Sequence, residues 1–235
     1  VSTSVLPFLN VLSDFCIRFL CYISILLWIH YLMISSSNLC ICRISADWSF
    51  MNTVTQKLTR LKIFTAVSFI LTATLGTACH FAFDFFGQSR LIAPFVPVNE
   101  STWEHLKLLF MPALLFTLIQ EAVIGKDYPC LLTQKAKAVL AGMAWIVVGF
   151  YTYTGVWGKD VAWIDILLFY TAVALYTWLS KRSIEKEKKY CNAGVGTAVF
   201  VLTFILFLVF TVQSPKIGLF RDPQTGSVNV SKILV

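Results

Sequence analysis

After residue 51 the chain alternates between long apolar runs and short polar connections, with five runs at about 63–86, 105–125, 136–157, 161–180 and 192–213. Each is long enough to cross a bilayer, since about 20 residues at about 1.5 Å rise span the roughly 30 Å of hydrocarbon. Lipid offers backbone amides no partner, so a crossing segment closes its hydrogen bonds within itself or in a barrel. Barrel strands would alternate apolar and polar positions, and these runs do not. The pattern predicts an all-α integral membrane bundle of five transmembrane helices.

A sixth apolar run lies at 15–34, but it carries Arg18 and His30 between Ser- and Cys-rich flanks. A secretory signal would start basic and end at small residues, and neither feature is clear. Two readings of residues 1–50 stay open: an extra helix, or translated sequence upstream of a start at Met51. The leading Val and the start-like Met51-Asn52-Thr53 favour the second. The domain division expected is an N-terminal extension at 1–50, a membrane domain at 51–226 and a tail at 227–235.

Composition agrees with lipid as the solvent. Of 235 residues, 57% are hydrophobic and 13% charged, where a soluble domain carries about a quarter charged. The net charge of +7 sits in short clusters between apolar runs rather than along one face, which argues for topology and against nucleic acid as a partner. Lys57, Arg60, Lys62, Lys126, Lys135, Lys137, Lys181, Arg182, Lys186, Lys188 and Lys189 fall on one side. Only Arg90, Lys159, Lys216, Arg221 and Lys232 fall on the other. The positive-inside rule then places residue 51 in the cytoplasm and the C-terminus outside, in a bacterial cytoplasmic membrane. Seven cysteines, an odd count without paired spacing, predict no disulfide framework and no zinc motif.

The polar residues near the outer helix ends are the candidate chemistry. Ser101 to Glu104 fits a capping box, in which hydroxyl and carboxylate satisfy amides at a helix start. Glu100, Trp103, Glu104 and Lys107 fall at i, i+3, i+4 and i+7, one helix face, with Asn99 and His105 beside them. Trp103 also suits a membrane-interface anchor. His80 and Asp84 share a face near the end of the first run, where an ionisable group in lipid is by default functional. Tyr153 and Asp165 approach the same end from the third and fourth runs, although Asp165 could simply cap its helix. Asp222 sits in a turn-forming tail. Glu121 lies about 24 Å along the helix from His105, too far to join them, and Pro112 between the two is expected to bend the helix. From this cluster His80, Asp84, Glu104 and His105 are the candidate ligands for a divalent metal, with Glu100 as a further ligand or acid-base group.

Taken together, the Pro97-Val98-Asn99-Glu100-Ser101 stretch, Trp103-Glu104-His105 with Lys107, upstream His80, the Tyr153-Thr154-Gly155 turn, Asp165 and the tail at 220–226 resemble a known family. It comprises bacterial multi-pass membrane proteins grouped as domain of unknown function 6512. The resemblance covers about 61–226 and implies architecture and a candidate site, but no reaction. Three functions remain open. The first is a non-enzymatic membrane role, with lipid as the environment and a protein or small-molecule partner unidentified. The second is a membrane-embedded metal-dependent hydrolase-like enzyme, and the third a small-molecule or ion carrier using Glu121 as an inner relay.

Overall fold

The computed structural model describes residues 46–186, 192–223, 225 and 226, with side chains from 55 onward. The sixth run at 15–34 and the tail at 227–235 lie outside the described residues. The chain divides into two compact units, Val1–Met51 and Asn52–Val235, and the described side chains belong to the second.

Five helices make up the described fold: α1 Ala46–Phe85, α2 Thr102–Ile124, α3 Leu131–Trp157, α4 Ala162–Glu185 and α5 Ala193–Val212. All five are long and apolar enough to cross a membrane, and no strand occurs among the described residues. The chain is an all-α membrane protein, as its pattern predicts. α1, α3 and α4 run beyond their apolar runs at the Lys-rich end, because the hydrophobic pattern marks only the lipid-facing turns while the helix continues through polar ones. Pro112 lies buried within an uninterrupted α2.

α2 is the central element. In its apolar window 56% of residues are buried, against 22–28% in the other four helices. Leu109, Phe110 and Ala113 of α2 pack with Val139 of α3, Ala172, Val173 and Tyr176 of α4 and Phe200 and Phe207 of α5. Lipid tails are as apolar as these side chains, so association depends on close packing and polar contacts between helices. Gly76 shows the first: a Cβ there would lie 2.6 Å from the Leu108 carbonyl oxygen and 2.5 Å from the Phe169 ring. Only glycine lets α1 close on α2 and α4 at this level.

Lys107 shows the second. Its ammonium, fully buried, donates to Glu104 Oε2 at 2.6 Å, Thr211 Oγ1 at 2.6 Å, the Ala93 carbonyl at 3.0 Å and the Val96 carbonyl at 3.4 Å. Glu104 also accepts the Val98 amide at 3.1 Å. One buried charge pair thus joins the start of α2, the end of α5 and the 86–101 connection. The capping box is therefore only half made. Ser101 Oγ accepts the Glu104 amide, but the Ser101 amide is bound by Asn99 Oδ1 at 2.9 Å and the Glu104 carboxylate turns inward.

At the opposite end Lys57 and Arg60 pair with Asp127 at 3.2 and 3.8 Å, and Tyr128 donates to the Lys57 carbonyl. Two sequence expectations change here. Lys135, expected among the basic connections, is 1% exposed, its Nζ donating to Tyr176 Oη at 3.2 Å and Ser68 Oγ at 3.5 Å. Cys130, buried at the start of α3, is disulfide-bonded, where odd count and spacing predicted no framework.

These contacts set the stability of the bundle. Lys107→Met strands a buried carboxylate and is expected to cost about 3–5 kcal/mol, with Lys107→Met/Glu104→Gln recovering part of the loss. Thermal unfolding in detergent measures both, and a single variant as stable as the parent would deny the pair its structural role. Gly76→Ala is expected to cost about 1–3 kcal/mol through overpacking in the same assay; unchanged stability would show that α1 can shift freely.

Candidate functional site

Three side chains from two helices and the connection between them converge at the end of the bundle opposite the Lys-rich one. His80 projects from α1 one turn beyond Gly76, so the close approach that glycine permits also brings the imidazole to α2. His105 lies in the first turns of α2, and Glu100 lies just before Thr102, where that helix begins. His105 Nε2 is 3.3 Å from Glu100 Oε2 and 3.4 Å from His80 Nε2, while His80 Nε2 is 3.9 Å from Glu100 Oε2. These three are the described residues whose ligand atoms lie close enough together to hold a metal ion.

The protonation of His105 can be read from its neighbours. Its Nδ1 lies 3.0 Å from the Ser101 carbonyl oxygen, which can only accept, so Nδ1 carries the proton. In the neutral imidazole Nε2 then presents a lone pair toward the Glu100 carboxylate and the second imidazole. A carbonyl holding the far nitrogen in this way is the usual support of a metal-binding histidine. The Glu100 carboxyl titrates below its ordinary range. When the imidazole is instead protonated, the hydrogen bond that His105 Nε2 donates lowers it most, the charges of both histidines in that form add to it, and partial burial opposes them.

The cluster opens into a cavity of about 450 Å³ between α1, α2, α3 and α4, with Pro223 of the tail at its edge. Thr77, Phe81, Leu108, Ile146, Phe150, Ile166 and Phe169 give it mostly apolar walls, and Asp160 and Asp165 add carboxylates. Asp165 stands in the first turn of α4, close enough to His105 and Glu100 for their charges to interact. It does not cap the helix. Tyr153 Oη donates to Asp165 Oδ1 and accepts the Val161 amide at 3.4 Å, which fixes the carboxylate across the α3–α4 turn.

The remaining candidates separate from this group. Glu100 precedes the helix, so it does not continue the face of Trp103, Glu104 and Lys107. Those three point inward toward α5, whereas Glu100 turns to the histidines. Glu104, expected as a metal ligand, is committed to Lys107, Val98 and Thr211. Asp84, also expected there, is exposed and accepts Gln88 Nε2 at 3.1 Å, where α1 ends in left-handed Gly87 and Gln88. Trp103 is not an interface anchor. It is buried, with ring centroids 4.9, 5.4 and 5.0 Å from Phe207, Phe210 and Phe220. Asn99 caps the Ser101 amide, and buried Asp222 accepts the Thr225 amide in a tail turn. Thr77 and Tyr170, which the sequence did not single out, join across the cavity wall at 3.1 Å. An apolar pattern carries no mark of such a pair.

Neither the curated proteins nor the solved structures provide a match to this chain. A family profile does, over residues 51–230, which includes every side chain of the cluster, the cavity and the buried charge pair. The chain belongs to the family described as Family of unknown function (DUF6512).

Proposed function

We propose that this protein is a membrane-embedded metal-binding protein in which His80, Glu100 and His105 hold a divalent cation of the zinc class, with hydrolase-like chemistry the activity this set suits best. The observation that carries the reading is the triangle of donor atoms around the His105 Nε2 lone pair. Metal–ligand bonds of about 2.0–2.1 Å at tetrahedral angles place ligand atoms about 3.3 Å apart. The separations here are 3.3, 3.4 and 3.9 Å. Without a cation or an added proton between them, that lone pair faces a carboxylate, an unfavourable arrangement in a largely apolar cavity.

Two imidazoles and one carboxylate are a known set for catalytic zinc and leave a coordination position open toward the cavity. Bound there, such an ion supplies a water of lowered pKa or polarises a carbonyl. Glu100 balances the charge, and Ser101 orients His105 through its carbonyl. Asp165, one oxygen held by Tyr153, supplies a further carboxylate on the cavity wall. The carrier reading has less behind it: Glu121 has a buried unpartnered oxygen but does not line this cavity.

Elemental analysis of detergent-purified protein is expected to find about one divalent metal per chain. His80→Ala, Glu100→Gln and His105→Ala are expected to lose it while keeping a cooperative melt, and Asp84→Asn to retain it. Metal-free, well-folded parent protein would overturn the reading, leaving a protonated His105–Glu100 ion pair. Metal lost equally from Asp84→Asn would place the ligands elsewhere.

We further propose that the His80 end faces outward and residue 51 the cytoplasm, on the excess of Lys and Arg at the other end. The disulfide at Cys130 lies at that Lys-rich end, where a reducing cytosol disfavours it. The two observations pull apart, and reporter fusions separate them. Fusions after Gln213 active only outside the cytoplasm support this orientation, and cytoplasmic activity reverses it.

A further inference from the structure

The cavity's side wall carries a feature that the metal reading does not use. Thr77 of α1 and Tyr170 of α4 bridge the seam between their helices at 3.1 Å. One turn nearer the cluster on each helix stand Phe81 and Ile166, both lining the cavity and yet 67% and 59% exposed. A side chain that lines a cavity and also faces outward marks an opening. Here an opening lies between α1 and α4, closed below by the Thr77–Tyr170 bridge, and it adds a lateral route to the one at the helix ends, where exposed Asp160, Ala162 and Pro223 also line the cavity.

Depth gives the opening its meaning. His80 lies five residues from the end of α1, and His105 and Asp165 each three residues from the starts of α2 and α4. At about 1.5 Å per residue the polar groups sit about 5–8 Å inside the helix ends, close to headgroup level. Thr77, Leu108 and Phe169 lie about a turn deeper, and Ile146 deeper still. The cavity is therefore polar at headgroup depth and apolar toward the bilayer centre. This is the arrangement of an amphiphile already oriented in its leaflet.

We propose that the ligand of this site is a single-chain amphiphile with an anionic oxygen head, a carboxylate or a phosphate. It enters sideways between Phe81 and Ile166 and places its head at the open position beside His80, Glu100 and His105. The proposal rests on the metal reading for the head and on the seam for the chain. A zinc-class cation with one carboxylate ligand keeps net positive charge, so an oxygen anion completes it. The chain takes the place of water that apolar walls hold poorly. The cavity is open at the helix ends as well, and it is the apolar depth beyond the polar head, walled by Leu108, Ile146 and Phe169, that favours an amphiphile over an aqueous solute.

Photolabelling with a long-chain fatty acid bearing a terminal diazirine, in nanodiscs, tests this, with adducts mapped by mass spectrometry and metal content measured on the same sample. Adducts are expected at cavity positions such as Thr77 and Phe169, competed by unlabelled fatty acid or by a single-chain phosphate, whichever head is preferred, and not by an alkane. Ile166→Trp narrows the seam. It is expected to retain the metal and lose about tenfold in cavity labelling, the equivalent of about two methylenes no longer buried. Labelling equal at lipid-exposed Leu118 and Val201, or unchanged by Ile166→Trp and by competitors, would overturn the proposal. Metal bound without cavity labelling would sink the amphiphile alone. Cavity labelling and its competition by an anionic head without metal would sink the cation and leave the lateral route standing.

Discussion

A single ammonium group, out of reach of water, organises the part of this protein that faces the candidate site. Lys107 is enclosed by Glu104, Thr211 and two carbonyls of the preceding connection, so every strong electrostatic partner it has is also a tether. In lipid an unpaired charge is costly enough to hold the pair closed. Its effect on the chain is directional. Glu104 and Lys107 take the inward face of α2 toward α5, and Glu100 and His105, on the other side of the helix start, are left to meet α1.

That partition explains why the site is where it is. α2 is the most enclosed helix, so the charged residues at its start depend on partners inside the bundle rather than on water. The inward set finds them within the protein, and Ser101 and Asn99 close the helix start. The outward set is met by His80, because Gly76 lets α1 come within reach of the Leu108 backbone. What results is two imidazoles and a carboxylate gathered at the head of a cavity whose walls are Phe, Ile and Leu, a setting in which each polar atom is strongly felt.

Five helices, their approximate extents and the gathering of His80, Glu100 and His105 at one end were legible in the sequence, because lipid allows apolar runs of that length only one kind of structure. That Tyr153 and Asp165 approach the same end was legible too, but the hydrogen bond between them was not. What was not legible was the direction of side chains at a helix start. The i, i+3, i+4, i+7 spacing joined Glu100 to Glu104, but the helix begins at Thr102 and Glu100 obeys a different geometry. Asp84 and Glu104 satisfied the composition of a metal site and failed its geometry, one lying at an exposed helix end and the other bound to Lys107. Lys135 read as a basic loop residue and is a core one, since a long side chain near a helix end can turn either way. The lateral seam depended on a contact between helices 93 residues apart, which no local pattern encodes.

The central claim is that the two histidines and Glu100 surround a cation. X-ray absorption at the metal edge of purified, zinc-loaded protein tests it most directly, because it reports the ligand atoms themselves. The account predicts a shell of two imidazole nitrogens and oxygen at about 2.0–2.1 Å, with one imidazole lost in His80→Ala. A shell of oxygen alone, or of sulfur from cysteine, would contradict it.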